Sequence, residues 1–114
     1  MKRVLVVESI NDAGLALLRA RADIEFVVIT DNLRAYMDEN LHEFDGVTLR
    51  RMPLTARLIE KAPRLYVVSR HGVGYDAIDV SALTRRGIPL TIVGDANAAT
   101  VAEHVFFMML SLAR

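Results

Sequence analysis

The 114-residue chain contains no cysteine. Disulfides, thiol nucleophiles and thiolate metal ligands are therefore excluded, and the composition suits a reducing compartment such as the cytoplasm. An excess of one charge is also missing, because 14 basic side chains balance 14 acidic ones. No electrostatic argument then points to nucleic acid or an anionic membrane. Long hydrophobic runs are absent too. The nearest, residues 105–113, follows Glu103 and His104 and is far shorter than the roughly 18 uncharged residues of a membrane-spanning helix. Glu8 interrupts the opening apolar run before the core of a secretory leader could form, so none is expected. Lysine is confined to Lys2 and Lys61, and no glycine-rich loop carries the lysine of a P-loop. The three histidines have no metal-ligand spacing with carboxylates. No nucleophile–base pair can be assembled either. Neither a metal site nor a catalytic residue is expected in this stretch.

What is present is a hydrophobic content of 53% in a length that suits one domain. Short apolar runs alternate with capped, amphipathic segments. Strands are predicted at residues 4–7, 24–29, 44–49, 65–69 and 89–93. Between them, helices are predicted from Asn11 or Asp12 to about Arg21, from after Thr30-Asp31-Asn32 to Asn40, from Pro53 and Thr55 to Pro63, and from Val80 to Arg86 with Gly87 as the stop. Such alternation implies right-handed crossovers and an α/β fold. The expectation is a flavodoxin-like five-stranded parallel sheet of order 2-1-3-4-5 with helices on both faces.

A long helix is predicted from Asn97 to the end, with Thr100 and Glu103 matching a capping box and Asn97 an alternative cap. Val101, Ala102, Val105, Phe106, Phe107, Met108, Met109, Leu110, Leu112 and Ala113 make it apolar nearly all round. Such a helix is buried on every side. Two expectations follow: it packs on a second copy of the chain, giving a homo-oligomer, or the chain is part of a longer protein.

The chemistry concentrates around residues 65–79, LYVVSRHGVGYDAID, where an apolar strand ends in a glycine-spaced turn. In open α/β sheets, ligands sit at the carboxyl ends of strands. Gly72-Val73-Gly74 followed by Ala77 fits G-x-G-x-x-A, with Asp95 about 20 residues on. Against a dinucleotide fingerprint stand Asp76 and Asp79, which put negative charge where a pyrophosphate needs a helix N-terminus. A plain structural turn and a small-anion cradle of backbone N–H groups remain open. Arg50 and Arg51 follow the third strand, at the same sheet end. Either could hold a carboxylate, or both could form a solvated surface pair. His71 beside the turn is a candidate donor to a substrate oxygen. His42 is expected at the surface, and His104 as a buried, hydrogen-bonded residue. The opening VLVVESINDAG suggests a phospho-receiver, but Arg50 stands where the acceptor aspartate belongs and no lysine ends the fifth strand.

Three blocks carry a family likeness: residues 69–79, SRHGVGYDAID; residues 86–89, RGIP; and residues 97–104, NAATVAEH. Asp45-Gly46, Leu49-Arg50 and Pro53-Leu54-Thr55 fit the same pattern. Together they closely resemble the D-isomer-specific 2-hydroxyacid dehydrogenases, most nearly the phosphoglycerate dehydrogenase-like branch, and the likeness covers the whole chain. The resemblance implies a substrate domain at residues 1–96, incomplete here, and an interdomain helix at residues 97–114 leading to a dinucleotide-binding domain. It implies that the backbone at Val73-Gly74, and the Arg50 position, contact the substrate carboxylate. Arg50, His71, Gly72, Val73 and Gly74 are the substrate-binding candidates. Thr100 and Val101 would border the nicotinamide of NAD or NADP. The family's catalytic arginine, its acidic partner, its histidine and its own G-x-G-x-x-G would lie after Arg114, so this stretch is expected to be inactive alone. Arg51-Met52 stands where many members have small or hydroxylic residues. The rival expectation is a self-standing small-anion-binding or regulatory module without catalysis.

Overall fold

Apolar runs too hydrophobic for a one-sided sheet become parallel strands. In the computed structural model, which describes residues 1–94 and 96–113, these are β1 (Lys2–Val7), β2 (Ile24–Ile29), β3 (Gly46–Leu49), β4 (Val67–Arg70) and β5 (Leu90–Thr91). They form one sheet, all parallel, of order β2-β1-β3-β4-β5. Each crossover carries a helix: α1 (Asp12–Arg19), α2 (Leu33–Asn40), α3 (Ala56–Glu60) and α4 (Val80–Arg85). A short 3₁₀ turn, Leu41–Glu43, follows α2, and α5 (Ala98–Leu112) follows β5.

The core lies against one face of the sheet. Leu5, Val7, Val47, Leu49 and Val68 point to that face and cluster with Met37 of α2, Leu58 and Ile59 of α3, and Ala82 and Leu83 of α4. Phe44 and Leu54 in the same cluster are fully buried. Each such side chain contributes roughly 2 kcal/mol of transfer free energy. Val6 and Leu15 of α1 are also buried but lie outside that cluster.

Side chains close the starts of α1 and α3 as expected, and that of α4 as well, whereas Asn32 before α2 makes no side-chain cap. Asn11 accepts from the Ala13 N–H at 2.8 Å, Thr55 from Leu58 at 3.3 Å and Asp79 from Ala82 at 3.0 Å. Gly87 ends α4 at φ +67°. Several boundaries differ from expectation: β3 and β4 each start two residues later and α3 ends at Glu60, and three further differences have a visible cause. α1 stops at Arg19, and Arg21 is drawn instead into a two-point pair with Asp23 at 2.8 and 2.6 Å. β5 is only two residues long, because the Val93 N–H leaves the ladder to bond the Gly72 carbonyl at 2.9 Å. The Thr100–Glu103 capping box does not form. α5 begins at Ala98 after Asn97, which makes no side-chain cap, so Thr100 already lies inside the helix.

No residue of α5 is buried, and the molecule measures 56 × 33 × 26 Å with a radius of gyration of 16.7 Å. A compact domain of this length has about 13 Å. The helix stands off the sheet and presents its apolar side chains to solvent. Among the described residues no helix is long and apolar enough to cross a membrane. Asp95, the acidic residue of the fingerprint reading, and Arg114 lie outside the described residues.

Candidate functional site

Parallel pairing brings the carboxyl ends of β1, β3 and β4 to one edge. Leu49 pairs with Arg70, so Arg50 and His71 are the next residues of adjacent strands. The His71 N–H donates to the Leu49 carbonyl at 2.6 Å and carries the ladder one step past β4. The chain then turns at Gly72, where φ is +151° and an added Cβ would meet the Arg70 guanidinium. The φ favours glycine there, while the guanidinium, the far end of a flexible side chain, would have to move aside for a Cβ. The Arg70 guanidinium donates to the His71 carbonyl across this turn.

The Gly72 N–H is already engaged with the Arg70 carbonyl at 3.0 Å. Among the described residues, the N–H groups of Val73 and Gly74 donate to no acceptor. Gly74 has nothing within 4 Å of an added Cβ, so its lack of a side chain leaves open space in front of the backbone. Val73 and Tyr75 are about half exposed on either side of it.

Two neighbouring concavities open here. One, of about 250 Å³, is lined by Arg50, Arg51, Met52, Arg70, Gly74, Asp76, Ala77 and Ile78. The other, of about 280 Å³, is lined by Ile10, Asn11, Gly14, Thr48, Ser69, Arg70, His71 and Val93. Arg70 borders both. The first therefore unites Arg50 with the glycine turn, while His71 lines the second. Thr48 Oγ1 in the second is buried and has no hydrogen-bond partner among the described residues. Thr100 and Val101 sit in the first turn of α5 and border neither concavity.

The two arginines after β3 have different partners. Arg50 Nη1 donates to the Ser9 carbonyl at 3.3 Å. Arg51 is tied to Glu8 at the end of β1: its backbone N–H donates to Oε1 at 3.1 Å, and its guanidinium to Oε2 at 3.3 and 2.9 Å. The Arg51 guanidinium holds the Glu8 carboxyl below the usual carboxylate range, against the opposing effect of burial. Glu8 adopts φ +70°, a left-handed conformation uncommon for a residue with a side chain.

The glycine turn does not present a helix N-terminus to a pyrophosphate. It runs into residues 75–78, where the Ala77 carbonyl accepts from Leu54 at 2.9 Å, before the six-residue α4 begins. The first turn of α4 already holds the Asp79 carboxylate. These residues do not fit a dinucleotide, as the acidic pair Asp76 and Asp79 had indicated. Among the described residues no group of three or more His, Asp or Glu could hold a metal ion. His42 is at the surface, as expected. His104 is exposed rather than buried and stacks on Phe107 with ring centres 5.9 Å apart, because nothing packs against that part of α5.

Sequence reasoning missed the roles of Glu8 and Arg70. Glu8 reads locally as a strand stop. The usable signal was topological, since in order 2-1-3-4-5 the residues ending β1 and β3 are neighbours of opposite charge.

Comparison with known proteins places this edge in context. The chain is 36% identical over 115 residues to D-3-phosphoglycerate dehydrogenase of Synechocystis, covering 100% of this chain and 20% of that protein. The NADPH-dependent glyoxylate/hydroxypyruvate reductase of Sinorhizobium meliloti, solved in complex with citrate, superposes with TM-score 0.77 at 30% identity over 96% of this chain and 33% of that one. The NAD-dependent formate dehydrogenase of Staphylococcus aureus, in complex with NAD, superposes with TM-score 0.80 at 25% identity over 95% of this chain and 37% of that one. The chain thus spans between a fifth and just over a third of the length of these relatives. The model of the D-isomer specific 2-hydroxyacid dehydrogenase catalytic domain matches residues 4–113, and the chain belongs to that family.

Proposed function

We propose that the chain is the substrate-binding part of an NAD(P)-dependent oxidoreductase that interconverts a D-2-hydroxy acid and its 2-oxo acid. Residues 1–96 make up a flavodoxin-like substrate domain, with helices on both faces of the sheet. Residues 97–114 form the helix that leads toward a dinucleotide-binding domain. The observation that carries this reading is the concavity shared by Arg50 and Gly74 at the carboxyl ends of β3 and β4. A guanidinium on one wall and open backbone N–H groups on the other suit a carboxylate.

Stereospecific transfer needs the carboxylate pinned while the carbonyl carbon faces the hydride donor or acceptor. Arg50 and the Val73 and Gly74 amides pin it. His71 lines the neighbouring concavity, which shares Arg70 with this one, and donates to a substrate oxygen that reaches past Arg70. The nicotinamide supplies or accepts the hydride when bound, and Thr100 and Val101 border it. No catalytic acid or base is assigned within this chain, so the 114 residues alone do not catalyse the reaction.

The test has two parts. Sequencing the natural reading frame past the codon for Arg114 should reveal a glycine-rich βαβ unit. An end near Arg114 would instead leave a stand-alone anion-binding module. In the natural-length enzyme, Arg50→Ala should raise KM for the 2-oxo acid more than it lowers kcat, because its contact is equal in ground and transition states. An unchanged KM removes Arg50 from the site.

A further inference from the structure

Three guanidinium groups, Arg50, Arg51 and Arg70, and one carboxylate, Asp76, line the concavity that holds Gly74. Taken alone, that lining would favour a substrate with two anionic groups. Glu8 lies just outside the lining and changes the balance. It engages Arg51 through three hydrogen bonds at 2.9–3.3 Å, one of them to the backbone N–H. With Glu8 included, three positive charges face two negative ones.

We propose that Glu8 sets the charge class of the substrate: by neutralising Arg51 it makes the site prefer a 2-oxo acid with one carboxylate over one with a second anionic group. The proposal rests on the substrate-site reading of Arg50 and the glycine turn. Three observations support it. Glu8 is the fixed member of the pair, with a side chain 13% exposed against 81% for Arg51. Its own N–H is held by the Ile29 carbonyl at 2.9 Å, so the carboxylate is presented from the end of the sheet rather than from a free loop. Its backbone is left-handed, φ +70°, a conformation uncommon for a residue with a side chain, and such strain persists where the surroundings impose it.

Arg50 differs from Arg51 in the way this assignment needs. Among the described residues its guanidinium donates to a neutral carbonyl, Ser9, at 3.3 Å and to no carboxylate, which leaves donors to fork onto a substrate carboxylate. Arg51 has its guanidinium donors turned to Glu8. A second anion arriving beside Arg51 would have to displace Glu8 or sit next to its charge, and like charges in contact are strongly unfavourable. Asp76, which lines the same concavity, adds to that repulsion.

The experiment compares two 2-oxo acids of matched length, 2-oxovalerate with one carboxylate and 2-oxoglutarate with two. Binding and kcat/KM are measured on the natural-length enzyme with reduced nicotinamide cofactor present. The native enzyme should prefer 2-oxovalerate. Glu8→Gln should shift the ratio of the two constants toward 2-oxoglutarate by about tenfold, the size expected when one guanidinium gains a carboxylate to hold. The shift should shrink as salt is raised. The double variant, Glu8→Gln with Arg51→Gln, restores the net charge of the site and should return the native ratio. An unchanged ratio in Glu8→Gln overturns the proposal, as does a gain that survives in the double variant. If Glu8→Gln weakens both acids equally, Glu8 is structural and the proposal also falls. If neither acid binds the native enzyme, the substrate-site reading itself fails, which separates the two.

Discussion

The buried carboxylate of Asp45 accepts a hydrogen bond from the Arg3 backbone N–H at 2.8 Å, which ties the start of β3 to β1. Arg64 approaches the same carboxylate at 3.2 and 3.4 Å. The Arg3 N–H and the Arg64 guanidinium hold the carboxyl below its ordinary value, against burial, which pushes it up. Because the folded-state pKa is depressed, the contribution is present above the unfolded value of about 4 and is lost as pH falls through the lower folded value. Thermal unfolding followed from pH 7 to pH 2 should show Tm falling below about pH 4. Asp45→Ala should lower stability by roughly 2 kcal/mol at pH 7, because it strands the Arg3 N–H. It should also flatten the acid limb. A variant with the native acid limb would assign the pH dependence elsewhere.

Arg86 joins two helix ends that the sequence keeps apart. From the C-terminus of α4 its guanidinium donates to the carbonyls of Ile59, of Ala62 at 2.9 Å and of Pro63 at 3.2 Å, where α3 ends. Last-turn carbonyls lack partners within a helix, and a planar fork of donors suits several at once. Arg86→Ala should cost about 1–2 kcal/mol in denaturant unfolding, and Arg86→Lys should recover only part of it. Full recovery by lysine would mean that charge near the helix end, not the fork, is what counts.

Gly72 and Gly74 are two residues apart yet should respond differently. Gly72→Ala meets both the φ of +151° and the Arg70 guanidinium, which must leave the His71 carbonyl. A loss of about 1–2 kcal/mol is expected. Gly74→Ala meets neither obstacle, so stability should stay within about 0.5 kcal/mol. If the Gly74 backbone approaches a carboxylate, the same methyl should weaken 2-oxo acid binding with Tm unchanged. Unfolding and binding measured on both variants separate a folding role from a binding one.

The sheet was legible because buried parallel strands read as unbroken apolar runs, such as residues 4–7 and 24–29, with turn residues between them. The order 2-1-3-4-5 was expected from five alternating β/α units, which suit a flavodoxin-like sheet. The end of β5 was not legible, because the Val93 N–H is taken by Gly72, 21 residues earlier. The glycine turn and Arg50 were visible as local chemistry at the same sheet end. The Glu8–Arg51 pair was not, since its members are 43 residues apart and meet only through strand order. His104 was misread for the opposite reason. Its apolar neighbours implied a core, but α5 has no buried residue.

That helix leads to the final prediction. Phe106 and Leu110 are one turn apart on α5 and are 65% and 68% exposed. With the rest of residues 101–112 they form an apolar surface that soluble monomers rarely present. The isolated 114-residue chain should therefore self-associate through α5, which sedimentation at increasing concentration would detect. Replacing Phe106 and Leu110 together with lysine removes apolar area only from the exposed helix. The sheet should keep its stability within about 0.5 kcal/mol, since neither side chain reaches the core. The monomer fraction should rise sharply at the same concentration. Association that survives both lysines would place the contact on another surface. A chain that stays monomeric without them would mean that the exposed helix is tolerated in isolation.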